Sequence, residues 1–265
     1  MRVSKFLVLF FVLCIASAGS FVRADEHEMK KEAKMMELPG PQLVTDAWMF
    51  ITAYKADPAV LKSLLPKGLE STGNIVMNMY TVPTAEQTSG FGAYTLTYLT
   101  VEIKDHDSYV MNSDITYPGR YFVHYYNSSP IMRAFTKKVG IPAQQGLTTT
   151  TVKDGKLTAT LHIDGKPVIT STADVGTELG GFGGGHLNYF GLIKAEKDGK
   201  KVNQVVKYPI PFNGGSVETK NVKIAFSAPE GHSLNKVKPI AAEPVWAVWM
   251  KGSFVYPQHQ VINEF

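Results

Sequence analysis

Residues 120–142 read RYFVHYYNSSPIMRAFTKKVGIP, an aromatic run followed by a short segment that ends at Lys137-Lys138. Aromatic and β-branched residues favour a strand, so the run predicts a β-strand with the lysine pair close behind it. A lysine becomes a nucleophile only when it is neutral, and a hydrophobic wall or a second ammonium lowers its pKa. Adjacent lysines ordinarily lie on a solvated surface, so the pair indicates a functional site only together with the sequence segments around it.

The chain begins with the features of a secretory signal peptide. Arg2 and Lys5 precede an apolar run over residues 6–16, and small residues follow. We expect a signal peptide over residues 1–24, a flexible leader over 25–42 and one folded domain over 43–265. The apolar run is short for a membrane span, so we expect a secreted or periplasmic protein with no membrane contact after signal removal.

Removal of that segment changes the cysteine and charge content. The single cysteine, Cys14, lies inside it, so the mature chain would hold no disulfide and would depend on its core. Loss of Arg2, Lys5 and Arg23 reduces the basic residues from 27 to 24, against 23 acidic residues. A nearly neutral chain gives no electrostatic reason to expect a nucleic-acid partner.

Strand signals dominate the remainder of the chain. Strands are predicted over residues 48–54, 74–82, 93–104, 222–226 and 245–255. Asp57-Pro58 predicts a helix start with an end near Leu65. Three Asp-Gly pairs, at 154–155, 164–165 and 198–199, predict tight hairpins because they supply positive φ angles. The fold class predicted is α+β, predominantly antiparallel β, with two or three short helices.

Several familiar site patterns are missing from the sequence. The glycine-rich segment Gly180–Gly185 matches neither nucleotide-binding template and predicts a turn. No histidines stand at metal-ligand spacing, so neither a metal nor another cofactor is expected. Asn127-Ser128-Ser129 is a glycosylation sequon, with a buried and unmodified asparagine as the alternative.

Four segments together resemble the acetoacetate decarboxylase superfamily. Thr88–Thr95 looks like its Thr-Ser-Gly-x-Gly-x-Tyr-Thr segment, and Phe135–Gly140 looks like its aromatic-Pro-Lys-Lys-x-Gly segment. Asp154–Leu157 and Leu187–Phe190 resemble a later hairpin and a Pro-Asn-Tyr motif. The order and approximate spacing hold from about residue 43 to the C-terminus.

This resemblance implies an open β-barrel or cone-like fold around an apolar cavity, and assembly into homo-oligomers. It also implies Schiff-base chemistry, in which neutral Lys137 attacks a ketone and Lys138 is its cationic neighbour. Activation of a lysine by desolvation or a nearby cation is the known case of acetoacetate decarboxylase itself. The iminium would then accept the electrons that are released when a bond to carbon breaks.

The chain departs from the family pattern at its acidic and basic positions. Leu96 stands where the decarboxylases carry a glutamate, and a second glutamate would fall near Asn78 or Met79. The Gly-Arg-Glu before the lysines is replaced by Ser129–Ile131, and an expected arginine falls near Ala47. The lysine pair therefore remains without an obvious proton donor.

Two functions are consistent with these residues. The preferred one is a secreted lysine Schiff-base lyase acting on a small β-keto acid or ketone, with substrate contacts from Tyr94, Arg120, His124 and Tyr126. The alternative is a non-catalytic secreted protein that binds a small hydrophobic ligand in the same cavity. Full exposure of Lys137 would count against the enzyme, because a solvated ammonium stays protonated.

Overall fold

The computed structural model describes residues 41–111 and 116–265, which form thirteen strands and two α-helices. The predicted signal peptide, its Cys14 and nearly all of the predicted leader lie outside the described residues. The first strand begins at Gln42, one residue before the predicted start of the domain. The helices are α1 (Pro58–Leu64) and α2 (Pro130–Lys138), and 3₁₀ turns span Ala85–Gln87 and Ser233–Val237. The strands are β1 (Gln42–Lys55), β2 (Ser71–Val82), β3 (Tyr94–Val110), β4 (Tyr117–Asn127), β5 (Ala143–Gln145), β6 (Leu147–Lys153), β7 (Lys156–Ile163), β8 (Lys166–Val175), β9 (Gly180–Lys197), β10 (Lys200–Val217), β11 (Thr219–Phe226), β12 (Trp246–Tyr256) and β13 (Gln260–Glu264).

Nine strands form a large curled sheet in the order β13-β10-β12-β1-β2-β3-β9-β4-β5. Most neighbours are antiparallel, and β4 pairs in parallel with β5 and β9. Strand β9 pairs along its length with β10 and also touches β3, which bends the sheet toward itself. The predicted class, predominantly antiparallel α+β with short helices, is confirmed.

Four further strands form a second sheet in the order β11-β8-β7-β6. The predicted hairpins at Asp154-Gly155 and Asp164-Gly165 join its neighbours, and both residues of each pair have positive φ. Asp198-Gly199 joins β9 to β10 in the same way. At α1, Asp57 accepts hydrogen bonds from the amides of Ala59 and Val60, as the Asp-Pro signal predicts.

The two faces of the large sheet have different surroundings, because successive side chains along a strand point to opposite faces. On β2, Met77 and Met79 pack with Leu161 in the core between the two sheets. Asn78 and Tyr80 point from the same strand toward the opposite face. Burial of the first set stabilises the sandwich, whereas the second set forms the wall of a cavity.

The glycine-rich segment forms the first part of strand β9. Gly180–Gly185 lies within β9, with a register shift against β10 where Gly181 has φ +59°, so the predicted turn is wrong. A Cβ at Gly185 would come within 2.1 Å of the Tyr109 carbonyl oxygen, which explains why β9 needs a glycine where it meets β3.

Among the residues described, no helix has the length and apolar character that a membrane crossing requires.

Candidate ligand-binding cavity

A cavity of about 70 Å³ lies on the face of the curled sheet that points away from the four-stranded sheet. Seven strands contribute to it, because the sheet bends around this face. Its wall is mainly apolar, with Met49, Ile51, Phe122, Leu187, Ile210, Phe212, Met250 and Phe254. Its polar members are Asn78, Tyr80, Tyr98, Tyr189 and Tyr256. Asn78 occupies one of the two candidate positions for the family's glutamate, whereas Met79 is in the core.

A hydrogen-bonded chain of four side chains forms one polar end of this cavity. Arg120 Nη1 donates to Tyr189 Oη at 3.0 Å. The hydroxyls of Tyr189 and Tyr98 lie 2.8 Å apart, and Asn78 Nδ2 donates to Tyr98 Oη at 2.9 Å. Aromatic packing holds the rings, since Phe122 stacks on Tyr189 with centroids 5.1 Å apart.

Arg120 is a buried cation with only 3 % of its surface exposed. Its guanidinium lies over the rings of Tyr189 and Trp246, at 5.7 and 5.8 Å from their centroids. No carboxylate in the described part of the chain forms an ion pair with it. Burial alone would lower the pKa of Arg120, but its interactions with Tyr189, Tyr98 and the Glu102 carboxylate outweigh burial and raise that pKa. The side chain is therefore protonated.

Four tyrosine hydroxyls form a second cluster, at the end of the cavity nearest α2. Tyr80 lies 3.1 Å from Tyr94 and 3.2 Å from Tyr256, and Tyr125 lies 3.5 Å from Tyr256. Burial raises the pKa of every one of these hydroxyls, so they are neutral phenols. The sequence-predicted Tyr94 is thus brought to the site, although Tyr80 and Tyr256 separate it from the ligand space.

Helix α2 carries the lysine pair and is fixed at both ends. Ser129 Oγ accepts the amide hydrogen of Met132 at the N-terminus, and Pro130 occupies the first helical position. At the C-terminus, the amides of Gly140 and Ile141 donate to the carbonyls of Lys137 and Thr136. Gly140 has φ +86°, so these bonds form a Schellman motif that ends the helix just after the lysines.

The structure places Lys137 and Lys138 on the solvent-exposed side of α2, and neither lines the cavity. No hydrophobic wall therefore encloses the pair, and two cations in the last helical turn are favourable for the helix dipole. The residue before the lysines, Thr136, explains why helix α2 extends through them. Thr136 replaces the proline of the family segment, and its hydroxyl donates to the Met132 carbonyl at 2.7 Å, so the helix continues. The catalytic role of the pair remains a prediction.

His124 and Tyr126, which were predicted as substrate contacts because they are polar residues of the segments that resemble the family, do not line the cavity. A bulge at Val123 separates them from Arg120, since Thr100 pairs with Phe122 while Leu99 pairs with His124. Tyr126 joins the core between the sheets, and the His124 ring stacks against it at 6.0 Å. Burial, with a smaller effect of His232, lowers the pKa of His124 to about 4.

Asn127 is completely buried, so the predicted glycosylation site is not available in the folded protein. Its Oδ1 accepts the Ser129 amide hydrogen at 2.7 Å, which helps to begin α2. A glycan on its Nδ2 would have to displace the surrounding side chains. The alternative of a buried, unmodified asparagine is the one that the structure supports.

Sequence reasoning missed several members of the cavity. Tyr98, Tyr256 and Ile210 were not identified as site residues, although Tyr98 follows Tyr94 at the strand spacing that shares a face. The signal in the sequence was this four-residue spacing. It identifies the cavity residues only when the face of the strand that points away from the second sheet is also known. Within the described ranges, no three His, Cys, Asp or Glu side chains cluster as metal ligands.

Comparison with known proteins agrees with this architecture. The model of the family "Acetoacetate decarboxylase (ADC)" matches residues 29–264. No curated protein gives a significant match. A solved acetoacetate decarboxylase superposes with a TM-score of 0.69 at 15% identity, covering 87% of this chain and 92% of its own. Acetoacetate decarboxylase from Legionella pneumophila gives a TM-score of 0.68 at 16% identity, covering 85% and 88%.

An enzyme with a different assignment shares the same fold. The enduracididine biosynthesis enzyme MppR complexed with pyruvate gives a TM-score of 0.61 at 11% identity, covering 86% of this chain and 92% of its own. At these identities the structures establish the fold, whereas the family model spans most of the sequence. The chain belongs to the acetoacetate decarboxylase family.

Proposed function

We propose that this protein binds a small ligand non-covalently in the cavity, with an apolar body against the aliphatic and aromatic wall. One observation carries the proposal. The cavity is lined by apolar side chains, one amide and four tyrosines, and no lysine or carboxylate lines it. A largely apolar pocket with a few convergent polar groups is the usual form of a small-molecule site.

The size of the cavity limits the ligand. A cavity needs roughly 10–15 Å³ to hold one water, so about 70 Å³ accommodates a handful of non-hydrogen atoms. Pockets for drug-sized ligands measure roughly 300–1,000 Å³, so this cavity is too small for such a ligand. Together with the polar end formed by Tyr98 and Tyr189, this favours a short ketone or oxo compound. MppR, a protein of the same fold, is complexed with pyruvate, which is a ligand of that size.

Binding can be tested by thermal denaturation and calorimetry with a panel of short ketones, keto acids and alkanes of four to seven non-hydrogen atoms. A ligand present at 100 times its dissociation constant should stabilise the protein by about 2.7 kcal/mol. Ile210→Phe should abolish this stabilisation because the larger ring fills the cavity from β10. Val152→Phe places the same ring on an exposed site and is the matched control.

The proposal fails if no compound in the panel binds the folded protein, or if Ile210→Phe binds the same compounds as strongly as the wild type does.

Lyase activity is the second candidate, and one specific observation favours it. The lysine pair follows Phe135, whose ring packs against Tyr256 of the cavity wall with centroids 6.4 Å apart. For this chemistry Lys137 would have to leave its exposed position on α2 and reach the cavity. Its neutral amine would attack a ketone carbon and lose water to form an iminium, which accepts the electron pair as a carboxylate leaves as carbon dioxide.

Reductive trapping separates the two candidates. Borohydride with a panel of ketones, followed by peptide mass spectrometry, should give no adduct on Lys137 if the protein only binds. A reduced adduct on Lys137 alone, lost in Lys137→Ala, would establish the lyase mechanism instead. Lys138→Ala should then shift the pH profile of adduct formation upward, because the neighbouring cation lowers the pKa of the nucleophile.

We also propose that residues 1–24 direct export and are removed, which gives a secreted or periplasmic protein. The support is the charged start, the apolar run and the small residues that follow it. N-terminal sequencing of protein recovered outside the cytoplasm should begin near residue 19 or 25. An intact N-terminus on the native protein would contradict export with cleavage.

A further inference from the structure

We propose that Met49 and Met250 determine the ligand specificity of the cavity, because their side chains set the longest apolar chain that a ligand can carry. This inference rests on the proposed binding function and adds the residues that control ligand size. The methionine pair belongs to the wall formed by β1 and β12. Strand β2 separates this wall from Tyr98, and β10 separates it from Tyr189, so the pair and the polar end lie on different walls.

The first argument is the flexibility of these two side chains. Among the described residues that line the cavity, the other apolar side chains are branched or aromatic, whereas methionine is unbranched and can fill an irregular space. Met49 and Met250 lie directly opposite each other in the register of β1 and β12, and both line the cavity. The Cβ atoms of such a pair are roughly 4.5–5.5 Å apart, so the two side chains form one continuous surface.

The second argument is a glycine floor (Gly214 and Gly252) beneath the methionine methyl groups. Gly252 stands two residues beyond Met250, at the next position on the same face of β12, and pairs with Gly214 of β10. A Cβ at Gly252 would lie 3.2 Å from Met49 Cε and 3.4 Å from Met250 Cε. A Cβ at Gly214 would lie 3.0 Å from Met250 Cε. Both methyl groups therefore occupy space that side chains at these glycines would otherwise fill.

The cavity wall resumes beyond the glycine floor. Phe212 and Phe254 are the next pair of β10 and β12, and both line the cavity. The thioethers thus lie in a recess whose far side is formed by these two rings. Truncation of the methionines would open this recess to the cavity of about 70 Å³, since the glycines have no side chain to replace them. The space gained would accept a longer apolar chain.

A homologous series of 2-alkanones, from butan-2-one to nonan-2-one, measures this limit by calorimetry. Each methylene that enters an apolar site should increase affinity roughly fourfold. With the full mature protein, affinity should rise over the shortest members and then fall once the chain exceeds the cavity. In Met49→Ala/Met250→Ala the maximum should move to a ketone that is longer by roughly two methylenes or more, because each truncation removes the sulfur and two carbons.

Two further variants provide controls. Met79→Ala makes the same truncation on β2, but Met79 is buried in the core between the two sheets, so the preferred chain length should not change. Met49→Val/Met250→Val guards against loss of folding, because valine favours strands. Its branched side chains end before the glycine floor, so this variant should also prefer a longer ketone than the wild type does.

Methyl-labelled methionine in the wild-type protein gives a second readout by NMR. Binding of butan-2-one should shift the Cε resonances of Met49 and Met250. The resonances of Met77 and Met79 should stay unchanged, because these side chains lie in the core on the opposite face of the sheet.

An affinity that rises without a maximum up to nonan-2-one in the wild type overturns the assignment while the binding function stands. The same conclusion follows if both double variants and Met79→Ala prefer the same ketone as the wild type. If no 2-alkanone binds but another short compound does, the assignment also falls and the binding function stands. If nothing binds, both proposals fall.

Discussion

Arg120 and His124 lie on opposite faces of β4, although residues four apart on a regular strand share a face. The extra residue, Val123, is left unpaired between the Thr100–Phe122 and Leu99–His124 pairs. Arg120 consequently joins the hydrogen-bonded end of the cavity, while His124 turns toward the core between the two sheets. The bulge decides which polar residues of this strand can meet a ligand.

Deletion of Val123 should be severely destabilising, by roughly 4 kcal/mol or more, because one half of β4 would present the wrong face. Either Arg120 would enter the apolar core, or His124 and Tyr126 would leave it. Denaturant unfolding or the soluble yield measures this effect. Val123→Ala keeps the bulge and is the control, with an expected cost of about 1–2 kcal/mol. A deletion variant as stable as Val123→Ala would contradict the role given to the bulge.

His124 should make stability depend on pH. Its pKa in the folded protein is about 4, below the value of about 6.5 that an unfolded chain has. The unfolded state therefore binds one more proton between these values, and stability is lost as the pH falls from about 6.5 to 4. The full effect is roughly 3 kcal/mol.

Unfolding free energies at pH 7.5 and 4.5 should thus differ less in His124→Gln than in the wild type. The exposed His259 provides the matched control, since His259→Gln should keep the wild-type difference. An identical pH dependence in His124→Gln and wild type would show that His124 is not responsible for the loss of stability at low pH.

Gly140→Ala should destabilise the end of α2 more than Gly199→Ala destabilises the β9–β10 hairpin. Both glycines have positive φ, which costs about 1–2 kcal/mol with a side chain present. At Gly140 the new Cβ would also lie 2.7 Å from the Leu192 carbonyl oxygen, whereas nothing lies within 4 Å at Gly199. Melting temperatures of the two variants measure the difference, and equal losses would mean that the contact with β9 relaxes freely.

Thr136→Pro should restore the proline of the family segment at the expense of stability. Proline removes an amide hydrogen and clashes with the Met132 carbonyl, which costs about 3 kcal/mol in a helix interior. Thr136→Ser keeps both the amide and the hydroxyl that bonds to Met132, so it is the control. Helix α2 should then end before the lysines, and protease cleavage after Lys137 should become faster than in Thr136→Ser. Unchanged stability and cleavage would show that the threonine does not maintain the last turn.

Local signals in the sequence predicted most of the elements correctly. Asp57-Pro58 defines the start of α1, and three Asp-Gly pairs form the hairpins, because each depends on backbone angles and hydrogen bonds within a few residues. The Gly180–Gly185 segment failed as a predicted turn. Contact with a neighbouring strand is what requires glycine there, as the close approach of Gly185 to Tyr109 shows. Tyr109 is distant from Gly185 in the sequence.

The sequence by itself determined the strands, the hairpins and the family. It predicted Tyr94 and Arg120 as substrate contacts; each bonds to a tyrosine of the cavity wall, and contact with a ligand stays a prediction. Only the tertiary structure decided that His124, Tyr126 and Asn127 are buried outside the cavity lining, and that Lys137 and Lys138 face solvent. The physical reason is that the direction of a side chain depends on register. A single unpaired residue in β4 reverses the face of every side chain beyond it, and each residue along α2 turns the direction of the side chain by roughly 100° about the helix axis. Pairing between distant strands sets that register, and no local pattern encodes it.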